Sequence, residues 1–105
     1  SQNDYLTYLN DLRVQVELIR KSIMNYSEII PINRDVVASA EEDLKLVQER
    51  YSIGSATILE VLDAQVSLIR SNSTLINTIH DARMQEMSLK ALLGILDLEY
   101  QTKEE

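Results

Sequence analysis

Apolar side chains recur along the first half of the chain with a strict rhythm. Tyr5, Leu9, Leu12, Val16, Ile19, Ile23, Tyr26, Ile30, Asn33, Val37, Ala40, Leu44, Val47 and Tyr51 follow one another at alternating spacings of four and three residues, and Asn33 is the one strongly polar member. A 3.5-residue repeat of this kind predicts a helix supercoiled left-handedly against a partner, where a lone amphipathic surface helix would drift at 3.6. Pro31 lies inside the stripe. It removes one backbone hydrogen bond and crowds the carbonyl of Ser27, at about 3 kcal/mol, and pushes Ile30 away from helical geometry. Two readings follow: a break between Ile29 and Asn33, or one helix kinked near Pro31. The stripe keeps its phase across the proline, which a loop of arbitrary length would destroy. The pattern therefore favours one kinked helix over about 4–52, ~70 Å long at 1.5 Å per residue.

The second half carries two seams. Val61, Leu68, Leu75, Ala82, Leu89 and Leu96 recur every seven residues, and Leu62, Ile69 and Ile76 run beside them. Ala64, Ser71 and Thr78 place small side chains along the flank, where a neighbour can approach closely. This predicts a helix over about 58–95, which Gly94 weakens or ends, followed by a polar tail over 99–105 that frays. A two-helix hairpin needs one seam per helix. The surplus seam, and Ile29, Ile32 and Val36 off the main stripe of the first helix, predict further neighbours. A lone hairpin buries little surface against the entropy of ordering it. The isolated chain is therefore expected to self-associate, most simply as a four-helix dimer.

Between the two helical patterns lies Tyr51-Ser52-Ile53-Gly54-Ser55-Ala56-Thr57-Ile58-Leu59-Glu60-Val61-Leu62-Asp63. Gly54 after a long apolar repeat reads as the C′ residue of a helix end, since Gly enters the left-handed region without a Cβ penalty. Thr57 to Glu60 reads as a capping box that starts the next helix. A stop followed so closely by a start folds the chain into an all-α, long antiparallel helical hairpin, a single unit over 1–105 with its tip at 52–57. The tip is where function is expected.

Composition narrows the classes. The chain has 105 residues, two Gly, one Pro, no Cys, no Trp and no Phe, so few and long helices fit better than a sheet with frequent turns. A net charge of −7 argues against nucleic acid or an anionic membrane face as partner. No apolar run approaches a bilayer span, so this segment is not expected to insert directly into a membrane. Without Cys there is no disulfide and no thiolate metal site. Ser1, where a start would place Met, leads to the expectation that the chain is an excised or processed piece.

No catalytic, cofactor or metal constellation emerges. His80, the one histidine, has Asp81 and Glu86 nearby in sequence, but Asp81 lies ~100° around a helix from it and no second His supports a metal site. His80 reads as a solvated surface residue, Met84 and Met87 as packing residues rather than copper ligands, and Glu41-Glu42-Asp43 as a solvated face. There is no glycine-rich phosphate loop, no basic–aromatic patch and no compelled Ser–His–Asp arrangement, so an enzyme is not expected.

The tip sequence Tyr51-x-x-Gly54-x-x-Thr57-x-x-Glu60-Val61-Leu62-Asp63-Ala64, preceded by Val37-x-Ser39-Ala40 and followed by Leu92-x-Gly94, resembles the TolC-type outer-membrane efflux proteins. It looks most like the second of the two long helical hairpins of each protomer. The resemblance covers Val36 to Gly94 well, and before Pro31 only the helical pattern carries it. It implies a native homotrimer whose helices form an α-helical barrel across the periplasm, this chain being a fragment of that barrel near the periplasmic entrance of an outer-membrane protein. It also implies a periplasmic adaptor (membrane fusion) protein that meets the hairpin tips and, through it, an inner-membrane pump, so that drugs, toxins or metal ions leave in one step. Residue by residue, Glu60 and Asp63 match acids that ring the entrance, and Tyr51 matches a tyrosine that latches it shut. Gly54, Ser55 and Thr57 match the segment that meets the adaptor. Ala56 stands where a family member has an arginine, so that latch link is absent here. The competing reading is a coiled-coil interaction hairpin or scaffold with no channel role. It differs in needing one seam only and in tolerating replacement of Asp63.

Overall fold

The computed structural model describes residues 1–104. They form two helices, α1 (Gln2–Ser52) and α2 (Ile58–Glu104), joined by a short turn, and no strand occurs among them. The all-α antiparallel hairpin expected from the pattern is what the chain forms. α1 begins slightly earlier than the apolar stripe suggests. The Ser1 hydroxyl accepts the Asp4 amide at 3.4 Å and the Ser1 carbonyl accepts the Tyr5 amide at 3.3 Å, which caps the first turn.

α1 runs unbroken through Pro31, which removes the reading of a break between Ile29 and Asn33. The stripe is covered on both sides of the proline: Ile30 and Asn33 are half-buried and Val37 is buried. Burial in phase on either side offsets the cost of one missing hydrogen bond.

The expected end of α2 near residue 95 needs correction. The helix continues through Gly94 to Glu104. Gly94 has no positive φ, and Leu92, Leu96 and Glu99 carry the half-buried line past it. A helical Gly costs about 1 kcal/mol relative to Ala, which a continuing seam can absorb. Glu105, the end of the expected frayed tail, lies outside the described residues.

Contacts gather into two compact units, each taking a stretch from both helices: Ser1–Tyr26 with His80–Glu105, and Ser27–Ile79. In the second of these, the turn-bearing unit, the covered positions of α1 are Ile30, Asn33, Val37, Ala40, Leu44 and Val47. Those of α2 are Val61, Ala64, Leu68, Ser71, Leu75 and Thr78, with Asn72 and Ile79 beside them. Ala64, Ser71 and Thr78 are therefore the other half of the packed seam, not its flank: with the heptad leucines they make a three–four repeat like that of α1. The seam contains one polar rung. The Asn33 side-chain amide donates to the Thr78 hydroxyl at 3.1 Å, and that hydroxyl donates to the Thr74 carbonyl at 2.8 Å. Asn33, the odd residue of the stripe, is thus satisfied from the opposite helix, as a covered amide must be.

The unit that holds both termini repeats the scheme with Tyr5, Leu9, Leu12, Val16, Ile19, Ile23 and Tyr26 against Ala82, Gln85, Leu89, Leu92, Leu96 and Glu99. Among the described residues only Leu12, Val37, Val61 and Ala82 are buried, at 6–8% exposure. A seam between two helices covers one line of side chains and leaves its edges open. Large apolar groups outside it stay in solvent: Ile29, Ile32 and Val36 on α1, and Leu62, Ile69 and Ile76 on α2. These are the surplus positions of the sequence pattern, and nothing among the described residues covers them.

Candidate functional site at the hairpin tip

The tip is built by two motifs back to back. α1 ends with Gly54 at φ 79°, in the left-handed region. The Gly54 amide donates to the Tyr51 carbonyl at 3.1 Å and the Ser55 amide to the Arg50 carbonyl at 2.7 Å. That pair, a 5→2 and a 6→1 bond around a left-handed C′ residue, is a Schellman motif. Two carbonyls at the end of α1 are satisfied by the turn itself. The Ser52 hydroxyl adds a bond to the Glu49 carbonyl at 2.6 Å.

α2 starts on the capping box expected from the sequence. The Thr57 amide donates to Glu60 Oε2 at 2.8 Å, and the Glu60 amide donates to the Thr57 hydroxyl at 3.2 Å. The Val61 amide then closes the first helical bond to the Thr57 carbonyl at 3.3 Å. The two ends leave a turn with almost no slack, all of it exposed except the half-buried Ala56.

The candidate residues fall into different states in this frame. Gly54 and Thr57 are committed to turn chemistry, and Glu60 spends one carboxylate oxygen on its own cap. Asp63 is exposed, and no ion pair among the described residues engages it. Glu60 and Asp63 lie i, i+3 on one face of α2. Among the described residues no three His, Asp or Glu side chains converge to hold a metal ion. One chain therefore brings these acids to a face without forming a chelate. Tyr51 ends the α1 stripe but is 48% exposed, so the seam does not enclose it. Ser55 is exposed, its amide and carbonyl both engaged within the turn.

Three tip residues stand out only in the structure. Ile53 is 79% exposed, immediately before the left-handed glycine, and Leu59 stands out beside the capping box. Arg50 donates from Nη2 to the Ser55 carbonyl at 3.0 Å. The sequence carries a signal for Arg50: it is the single cation between Lys45 and Arg70, in the last turn of α1 and four residues before Gly54.

Away from the tip, His80 is solvated as expected, its Nδ1 lying 3.8 Å from an Asp81 carboxylate oxygen with both side chains well exposed. The expectation that Met84 and Met87 are packing residues is corrected: they are 49% and 63% exposed and lie outside the seam. In the α2 repeat the covered positions nearest them are Ala82, Gln85 and Leu89, so both sulfurs fall on the open side. No helix among the described residues is long and apolar enough to cross a membrane.

Compared with known proteins, the chain is 32% identical over 88 residues to the outer membrane protein TolC of Escherichia coli (strain K12), a match covering 81% of this chain and 18% of that protein. The same identity and coverage hold for the outer membrane protein TolC of Salmonella enteritidis. The chain thus spans about a fifth of the length of these relatives. No family model matches, and no solved structure matches.

Proposed function

Since the chain is related to the TolC-type outer-membrane efflux proteins, we propose that it forms a periplasmic helical segment of an efflux channel, part of the tunnel wall next to its entrance. The observation that carries this reading is the surplus of exposed apolar side chains on both helices of the turn-bearing unit. Ile29, Ile32 and Val36 on α1, and Leu62, Ile69 and Ile76 on α2, lie outside the packed seam. A hairpin that acts as a passive two-helix rod has no use for them, whereas a helix in a closed ring has neighbours on two sides. In this reading the chain works as a homotrimer, each copy supplying one such hairpin beside others of the same protein. The exported drugs, toxins or metal ions pass through it from an inner-membrane pump.

The tip divides the work. Ser55, with Gly54 shaping the turn before it and Thr57 starting α2 after it, meets a periplasmic adaptor protein. Glu60 and Asp63 contribute to an acidic ring. Repeated around an axis, they would crowd like charges and attract cations. Asp63 is the better placed of the two, because Glu60 is already tied to its cap. Tyr51, left exposed at the end of the stripe, is available to a neighbouring hairpin as a latch.

Two measurements on the full-length protein test this. Asp63→Ala is expected to weaken cation block of the closed channel or raise its conductance in planar bilayers. A pore indistinguishable from the parent would remove the acidic ring. A Cys at position 55 is expected to cross-link to an adaptor in cells, and the absence of any adduct would count against tip contact.

A further inference from the structure

The Schellman motif at the end of α1 departs from its usual form at one point. Such motifs are commonly closed by an apolar contact between the C3 and C″ residues. Here those positions are Arg50 and Ser55, which have no apolar contact to make. In its place the Arg50 guanidinium folds over the turn and donates from Nη2 to the Ser55 carbonyl at 3.0 Å, while the Ser55 amide donates back to the Arg50 carbonyl at 2.7 Å. Arg50 and Ser55 thus grip each other from both ends of the turn. The bond is charge-assisted, and the planar fork of Arg loses less freedom per bond than a Lys would.

We propose that Arg50 is a positioning residue for the tip: its guanidinium clamps the Ser55 carbonyl, fixing the Ser55 hydroxyl and the exposed Ile53 in one presentation to the adaptor protein that meets the turn. The clamp itself stands on the geometry of this chain. Its functional meaning rests on the reading of the tip as a contact surface. The position has a second consequence. Arg50 is the one cation between Lys45 and Arg70, and it is turned onto a backbone oxygen rather than onto Glu49, Glu60 or Asp63. Glu49 and Asp63 are therefore left exposed and outside any ion pair among the described residues, and an adaptor that presents basic groups around an apolar contact fits this surface.

Amide exchange followed by mass spectrometry on the full-length protein, over peptides spanning the turn, tests the clamp. Arg50→Met keeps the stem and removes the guanidinium. It is expected to speed exchange at Gly54 and Ser55 by roughly two- to fivefold, the size of one exposed charge-assisted bond, with Arg50→Lys in between. Lys45→Met, which removes a charge without touching the turn, is expected to leave those amides unchanged. Unchanged exchange in Arg50→Met overturns the clamp whatever else is seen. The contact role is read separately, by cross-linking from Ser55→Cys, which retains the carbonyl. A fall in adduct on adding Arg50→Met supports positioning, and an equal adduct with faster exchange overturns it. If Ser55→Cys yields no adduct even with Arg50 intact, the contact reading fails and positioning for contact is overturned with it, while the exchange result still decides the clamp.

Discussion

The chain has two glycines and treats them in opposite ways. At Gly54 the backbone turns into the left-handed region and α1 stops. At Gly94 the backbone stays helical and α2 runs on to Glu104. Space does not explain the difference, because a Cβ added at either position would meet nothing within 4 Å. What differs is the company each glycine keeps. Gly54 is followed by Ser55, whose amide reaches back to Arg50, and then by Thr57 and Glu60, which start a new helix at once. Gly94 sits between Leu92 and Leu96, two members of a seam that goes on being covered. A glycine permits a helix to end, and the bonds waiting beyond it decide whether it does.

Substitution can break this contrast at its strongest point. Gly54→Ala forces an L-residue into the left-handed region and is expected to lower stability by about 1–2 kcal/mol, read as a fall in the melting midpoint by circular dichroism at fixed protein concentration. An unchanged midpoint would mean the turn does not need that φ. Thr57→Ala removes the restart signal and is expected to cost about 1 kcal/mol, with loss of protection at the Glu60 amide in hydrogen exchange. Gly94→Ala should act with the opposite sign, stabilising by about 0.5–1 kcal/mol, since a helical Gly is replaced where there is room for a methyl. A loss of stability there would show that Gly94 serves close packing that this chain alone does not display. The smallest effect lies beyond Gly94: the last turn of α2 is expected to exchange fastest of all, and Gly94→Ala to slow it only slightly.

The same contrast explains what was readable. At the tip, the turn at Gly54 and the Thr57–Glu60 cap are legible because their signals are local. A Schellman glycine and a capping box are each written within a few residues, and the chain obeys both. The end of α2 is not legible, because one weak local signal, a glycine, competes with a seam whose continuation depends on the opposite helix. The place of Ala64, Ser71 and Thr78 in the seam is hidden for the same reason. Small and polar side chains look like the edge of a stripe until the helix opposite is seen to need them in its middle. Met84 and Met87 show the converse: apolar side chains at helical spacing suggest packing, yet the seam of this chain runs along another line.

From its sequence alone this protein was determined to be two helices folded back on a turn between Tyr51 and Thr57, because heptad spacing, a C′ glycine and a capping box act over a few residues and need no distant partner. Tertiary structure decided which side chains share a rung. Asn33 on α1 finds Thr78 on α2, 45 residues along the chain. A covered polar group takes whichever partner the register brings within hydrogen-bond distance, and that register exists only once both helices are in place.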